Sequence, residues 1–297
     1  MTAAATPIEQ PVRKQSRLRR MRGGVGLHVV VIGLIIIWAI PTFGLLVNSF
    51  RPAADANSTG WWVGLFPPYH FTFENYAHVL GQSNIATNFM NSLIISIPAT
   101  VIPIFVAAFA AYAFSWMEFP GRNILFVVVV GLLVVPLQAT LIPILKLFAT
   151  WGIAGTFLAV WLAHTGYGLP FAIYLLRNFM GSLPKEVFES AAIDGASPVT
   201  SFFRLAIPMS VPAIAALAIF QFLFVWNDLL VALIYMSAVN PDNLPLTVSI
   251  AGLVTSTGGG SEFLGAAAFL SMLLPLAVFF ALQRYFVRGI VGGSVKG

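Results

Sequence analysis

Apolar residues along the chain gather into six long runs separated by short polar segments. They extend roughly over Leu27–Val47, Ile85–Phe114, Ile124–Leu145, Phe157–Leu176, Leu205–Met236 and Phe263–Leu282. A helix must present about 20 predominantly apolar residues to cross the bilayer core. Each run therefore predicts a transmembrane helix, and the chain reads as an all-α, polytopic membrane protein with six spans. The later runs contain prolines: Pro98, Pro103, Pro136, Pro143, Pro170, Pro208, Pro212 and Pro275. Interior prolines are tolerated in a membrane where neighbouring helices or polar side chains satisfy the freed carbonyls. They predict kinked helices in a packed bundle, not a single anchor.

Composition agrees with this pattern. Apolar and aromatic residues make up 59% of the 297 residues and charged ones only 8%, against about 25% charged in an average soluble domain. That deficit, with a mean hydropathy of +0.90, excludes a soluble globular enzyme. It also excludes disorder, which needs low hydrophobicity and high net charge. There is no cysteine, hence no disulfide, thiolate metal site or cysteine nucleophile.

The net charge of +5 lies at the ends of the apolar runs. A nucleic-acid binder would gather it into a patch beside aromatics, so no nucleic-acid partner is expected. Arg13, Lys14, Arg17, Arg19, Arg20, Arg22, Arg122, Arg177, Lys185, Arg204, Arg284, Arg288 and Lys296 fall on one side of a six-span topology, and Arg51 and Lys146 on the other. The excess of Lys and Arg marks the cytoplasmic side. This predicts a multi-pass protein of the bacterial cytoplasmic membrane with both termini inside. The chain then divides into a basic cytoplasmic tail (1–25), a first transmembrane helix (26–50), an external loop (51–84), a five-helix core (85–284) with short cytoplasmic helices at about 183–204, and a cytoplasmic tail (285–297). The basic start does not read as a signal peptide, because the apolar run is too long and no A-x-A-like cleavage site follows.

Two external segments stand out. Residues 51–84 carry Trp61, Trp62, Phe66, Pro67 and Pro68, which suit a membrane-interface apron or a docking surface for an external partner. Ser237–Glu262 is polar and glycine-rich, suiting a flexible connector or an inserted probe. No phosphate-binding glycine loop, metal-ligand spacing or nucleophile elbow is visible, so no catalytic residue, metal or bound cofactor is expected of this chain.

The segment between the fourth and fifth runs is the most specific. Pro184 suits the first position of a helix, Glu186 and Glu189 suit its early turns, and Ala191 and Ala192 present a small-residue face. Asp194 precedes Gly195, which suits a left-handed helix stop. Ser197 and Pro198 suit the cap and first position of a second helix, expected to run through Phe202 and Phe203 to Arg204, before Pro208. The result is a pair of short helices with an elbow, shaped for docking into another protein's cleft.

Here the chain resembles a family. Glu189-Ser190-Ala191, three residues, Gly195, nine residues and Leu205-Ala206-Ile207-Pro208 look like the E-A-A, x3, G, x9, I-x-L-P motif of importer permeases of the ATP-binding cassette class. Ser190, Leu205 and Ile207 are mild departures. The tail Val291–Gly297 resembles the end of MalG-type subunits of maltose transporters. Gly60-Trp61-Trp62, Ala163-His164-Thr165 and Val225–Leu230 are similar to the alpha-glucoside branch of that subfamily.

The resemblance implies a second, MalF-like permease subunit, two ATPase subunits that use ATP and Mg, and an extracytoplasmic sugar-binding protein. It implies that Glu186, Glu189, Ser190, Ala191, Ala192, Asp194, Gly195 and Pro208 form the coupling site for the ATPases. It also implies that Ser237–Glu262 probes the binding protein and that Val291–Gly297 lies against the ATPase pair.

Polar residues within the spans are candidates for the substrate path, because a carboxylate at the bilayer centre costs roughly 2.5–3.5 kcal/mol on insertion scales. Asp228 is the acid well inside a predicted span, with Gln221 expected on the same helical face. Asn88, Asn91, Gln138 and Asn227 complete the set, with His164 isolated. Each could instead serve interhelical hydrogen bonding. A proton- or ion-coupled secondary transporter is the competing class, although a single intramembrane acid and no visible repeat speak against it.

Overall fold

The computed structural model describes residues 17–81, 84–237, 243–253 and 260–292. Among them every regular element is helical. In chain order the α-helices are α1 (Arg17–Ser49), α2 (Ala53–Ser58), α3 (Glu74–Gly81), α4 (Ile85–Trp116), α5 (Arg122–Gly131), α6 (Leu137–Thr150), α7 (Phe157–Met180), α8 (Lys185–Ile193), α9 (Pro198–Ser201), α10 (Ile207–Trp226), α11 (Leu230–Ala232), α12 (Leu246–Ala251) and α13 (Ser261–Gly292).

Helix α4 is the hub, packed against α7 and α10, while α10 also packs on α13. The buried faces are rich in alanine: Ala99, Ala107 and Ala111 of α4, Ala159, Ala163 and Ala172 of α7, and Ala213 and Ala216 of α10. Without a hydrophobic drive between helices in lipid, small residues that let backbones approach are what hold such a bundle together. Helix α1 stands apart. It meets α13 through its last turns, where Gly265 lies so close that a Cβ would come within 3.1 Å of the Leu45 carbonyl oxygen. From Leu27 to Phe43 its side chains are largely exposed.

The interior prolines show how the bundle is locked. A proline cannot donate to the carbonyl four residues earlier, and in hydrocarbon that oxygen must find another donor. Pro98 vacates the Ile94 carbonyl, and Trp161 Nε1 of α7 donates to it at 2.9 Å. Pro103 vacates the Ala99 carbonyl, and Gln221 Nε2 of α10 donates to it at 3.1 Å. Pro275 of α13 vacates the Ser271 carbonyl, and Trp226 Nε1 donates to it at 3.2 Å. Each donor comes from a neighbouring helix, so each kink is also a joint.

Among the described residues five helices are long and apolar enough to cross a membrane. The third apolar run is not one helix. It breaks into α5, a short 3-10 turn at Leu132–Val134, and α6, bent by 102°. The cause is Pro136, which disfavours helical backbone at the residue before it. Val135 is extended (φ −70°, ψ 117°), and Pro136 stands outside α6 as its N-cap. Both halves are apolar, so the hydrophobic pattern runs through the break without marking it.

The fifth run also differs. The helix begun at Pro198 does not end before Pro208. It continues to Trp226 through a π-helical turn at Phe202–Ala206. There the Ile207 N–H bonds the Phe202 carbonyl, one residue further back than in an α-helix. This wider turn accommodates the missing donor of Pro208, so the expected second short helix is the foot of the fifth span. At the other end the helix stops at Trp226, and the chain restarts as α11 with a π-helical turn at Leu233–Ser237.

The joint between α4 and α10 yields a prediction. Gln221→Leu leaves the Ala99 carbonyl without its donor and should lower the stability of the purified protein by about 1–3 kcal/mol, read by thermal unfolding in detergent. In a Pro103→Ala background the restored N–H serves that carbonyl, and the cost of Gln221→Leu should shrink by at least half. Equal costs in both backgrounds would refute the joint.

Candidate functional site

Two regions bring the candidate residues together. The first is α8, at the end of the bundle where α4 and α7 finish. The end of α4 clamps that of α7: Ser115 Oγ donates to the Arg177 carbonyl and Trp116 Nε1 to the Met180 carbonyl, both at 3.1 Å. The Trp116 ring then stacks on Phe188 with centroids 3.9 Å apart. Phe188 is the one buried residue of α8. A single aromatic thus fixes a helix whose other side chains, Ala191 apart, are exposed.

Glu186, Glu189, Ser190, Ala192 and Asp194 are exposed, and Ala191 is half-buried. Pro184 is the N-cap, one position earlier than the sequence pattern suggests. The helix ends in paired bonds, Ala196 N–H to the Ala191 carbonyl at 2.9 Å and Gly195 N–H to the Ala192 carbonyl at 3.0 Å. Gly195 has φ +82°, the left-handed stop of a Schellman motif. Ser197 Oγ then caps the next helix, accepting from the Thr200 N–H at 3.2 Å. Around the elbow Ile193 is 86% and Val199 66% exposed. Sequence reading missed this apolar pair, although two β-branched residues flanking a glycine turn were there to be noticed. Pro208 is exposed too, but it lies ten residues into the fifth span, beyond the π-helical turn.

The second region is the polar interior. Asn88, Asn91 and Ser92 of α4 are buried and hold residues 243–253, a segment folded into the bundle's opposite end. Asn91 Nδ2 donates to the Leu244 carbonyl at 3.1 Å, Ser92 Oγ accepts from the Leu246 N–H at 2.8 Å, and Asn88 Nδ2 bonds Ser249 Oγ. Thr247 Oγ1 ties the same segment to the Asp228 carbonyl at 2.7 Å. Parts of the loop 237–262 on either side, and the tail beyond 292, lie outside the described residues.

Asp228 was expected on the helical face of Gln221. Because the helix ends at Trp226, Asp228 instead sits in the break, where one carboxylate oxygen caps α11 by accepting from the Val231 and Ala232 N–H groups at 3.1 and 3.2 Å. That oxygen stands 3.7 Å from His164 Nε2. Gln221 Nε2 reaches the His164 carbonyl at 3.5 Å besides its joint with α4, so the two polar residues converge on His164 and not on each other. Gly168 makes room for Gln221, since a Cβ there would lie 2.6 Å from the amide.

Of the six path candidates only Gln138 and Asn227 are exposed, and both lie beside a helix break. Between the broken third span and α7 opens a groove of about 590 Å³, reached by Thr140, Trp151, Tyr167 and Phe224. Tyr167 and Tyr235 share a hydroxyl bond of 2.8 Å at its base. The groove is lined mainly by apolar side chains, with the hydroxyls of Thr140 and Tyr167 among them. Among the described residues no group of three or more histidines and carboxylates is placed to hold a metal.

Comparison with known proteins gives a consistent result. Residues 99–292 match the family model described as the binding-protein-dependent transport system inner membrane component. The chain is 55% identical over 273 residues to the osmoprotective compounds uptake permease protein GgtD of Synechocystis sp., covering 91% of each chain. It is 56% identical to the alpha-glucoside transport system permease protein AglG of Rhizobium meliloti, over 84% of this chain and 68% of that one. A crystal structure of a bacterial ABC transporter that imports the acidic polysaccharide alginate contains a chain of the same fold, with a TM-score of 0.75 and 21% identity, covering 95% of this chain and all of that one.

The grip of α4 on residues 243–253 is testable by hydrogen exchange. Removing two bonding side chains with Asn88→Ala and Ser92→Ala should cost about 1–3 kcal/mol locally and speed amide exchange in 243–253 roughly tenfold or more, with α8 unaffected. Unchanged exchange there would contradict the assignment.

Proposed function

We propose that this chain, which belongs to the family of binding-protein-dependent transport system inner membrane components, carries an alpha-glucoside or a related oligosaccharide across the membrane as half of an ATP-driven import path. The family membership makes it a multi-pass transport component of a sugar importer that works with a binding protein. The substrate rests on the 56% identity to the alpha-glucoside permease AglG. A second substrate reading, an osmoprotective compound, is favoured by the 55% identity to GgtD over nearly the whole of both chains.

The observation that carries the coupling role is the geometry of α8. It is a short helix pinned by one stacked aromatic, ended by a left-handed glycine, with an exposed apolar pair at its tip. Such a helix can move with a cleft that holds it and transmit the motion through Phe188 and Trp116 to α4, and through Pro198 to the fifth span. In this reading a partner ATPase, one of a pair that uses ATP and Mg, grips α8. A second permease subunit closes the groove between the broken third span and α7. In the same reading the α8 end and both termini are cytoplasmic, which the excess of Lys and Arg on that side of a six-span topology supports. The chain itself breaks no bond. Its contribution is to switch access between the two sides when nucleotide binding closes the ATPase pair.

The test is uptake of a labelled alpha-glucoside, and separately of a labelled osmoprotective solute, into vesicles holding the complete complex. Uptake should require ATP and the binding protein and should survive collapse of the proton gradient. Dependence on the gradient would select the ion-coupled reading instead. At Gly195 a side chain meets no steric obstacle, so only the backbone conformation is strained. Gly195→Val should then cost about 1–3 kcal/mol locally, weaken ATPase retention and reduce uptake at least tenfold with normal membrane levels. Gly195→Asn, which tolerates a positive φ, should do markedly less. Equal behaviour of Val, Asn and Gly would remove the elbow from the mechanism.

A further inference from the structure

We infer that residues 60–73 form a lipid anchor. They are an uncharged aromatic wedge inserted into the membrane interface at the end opposite α8, whose partner is the acyl and glycerol region of the leaflet and not another protein. The geometry begins with Arg51. Buried to 2% exposure, it donates to the carbonyls of Asp55 at 2.9 Å, Gly60 at 3.2 Å and Thr59 at 3.3 Å. This cage turns the chain back on itself just beyond the end of α1. The 3-10 turn Trp61–Leu65 then descends alongside the helix it has left. Trp61 lies on Gly44, where a Cβ would come within 2.7 Å of its Nε1, and meets the Phe43 ring edge-on at 6.0 Å. Gly64 lies against Val47 and Arg51. Phe43 is six residues inside the end of α1 at Ser49, so at about 1.5 Å per residue the wedge reaches about 9 Å below the helix end.

That depth places exposed side chains where lipid is. Trp62 is 58%, Phe66 66% and Tyr69 62% exposed. From Gly60 to Phe73 the only ionisable side chains are His70 and Tyr69. Trp and Tyr are the residues that collect at membrane interfaces, and the patch is continuous with the exposed apolar side of α1, where Trp38 is 81% exposed. From Val29 to Ile37 the α1 surface is Val, Ile and Leu apart from Gly33, an apolar face suited to acyl chains. Arg51 is spent on neighbouring oxygens, most of them backbone carbonyls, and the His70 ring lies 3.2 Å from the Asp55 carboxylate, so the wedge offers no free cation to a headgroup phosphate. Binding should therefore be insensitive to lipid charge and to salt.

The cysteine-free chain makes the experiment direct. Single variants Val63→Cys and Phe66→Cys, with Ala54→Cys as a water-exposed control, carry a nitroxide in the complete transporter reconstituted in zwitterionic phosphatidylcholine nanodiscs. Collision with oxygen relative to a water-soluble nickel chelate should be raised at least fivefold at 63 and 66 over 54. The ratio should be unchanged by adding anionic lipid, by high salt or by the binding protein. Ratios like that of position 54 would show a water-exposed loop and overturn the anchor. Protection from both probes, or protection that appears with the binding protein, would show a protein-covered face and overturn it equally.

Discussion

The structure depends on the requirement that every backbone carbonyl in the hydrocarbon region find a donor. Prolines in α4 and α13 withdraw three such donors, and the replacements are Trp161, Gln221 and Trp226 from adjacent helices. An ordinary transmembrane helix satisfies itself and can slide past its neighbours. A proline-kinked one is unsatisfied until a particular side chain arrives, so it specifies where α7, α10 and α13 must sit. The alanine-rich faces of α4, α7 and α10 then allow the close approach that such short bonds need.

The same rule explains why the two breaks in the spans are tolerable. At Asn227–Leu229 the orphan N–H groups at the start of α11 are met by the Asp228 carboxylate. The carboxylate in turn lies beside His164 in a polar spot under residues 243–253. A carboxylate that looks costly when placed on a continuous helix is, in the break, the group that makes the break possible. At Pro136 the bend has no such cap, and its exposed surroundings line the groove. Both breaks flank α7, and Gln138 and Asn227 beside them are exposed. Broken helices of this kind are found where backbone lines a cavity instead of meeting lipid.

At the other end the demands are mechanical. Helix α8 is held by one ring stack and stopped by one glycine, while the fifth span starts immediately after it. The π-helical turn before Pro208 lets that span run unbroken from Pro198. A displacement of α8 therefore meets a rigid rod on one side and the clamp of Ser115 and Trp116 on the other. Between the two ends of the bundle, α4 touches every element involved: α8 through Trp116, α10 through Ala99, and residues 243–253 through Asn88, Asn91 and Ser92.

What the sequence determined by itself is whatever short-range chemistry controls. The all-α polytopic class follows from the run lengths. The glycine stop at Gly195, the Ser197 cap and the proline kinks follow from backbone preferences that act within a few residues. Tertiary structure decided what depends on distant partners. The apolar pattern cannot show that Ile124–Leu145 breaks at Pro136, because both arms are equally apolar and other interior prolines, such as Pro98 and Pro103, stay inside a continuous helix. Nor can it show that the fifth helix stops at Trp226, which moves Asp228 off the Gln221 face. Asn88 and Asn91 look like path residues on a helical wheel, yet their amides are taken by a segment more than 150 residues away. Helical periodicity reports which residues share a face. Which polar group that face will meet is fixed only when the bundle closes around it.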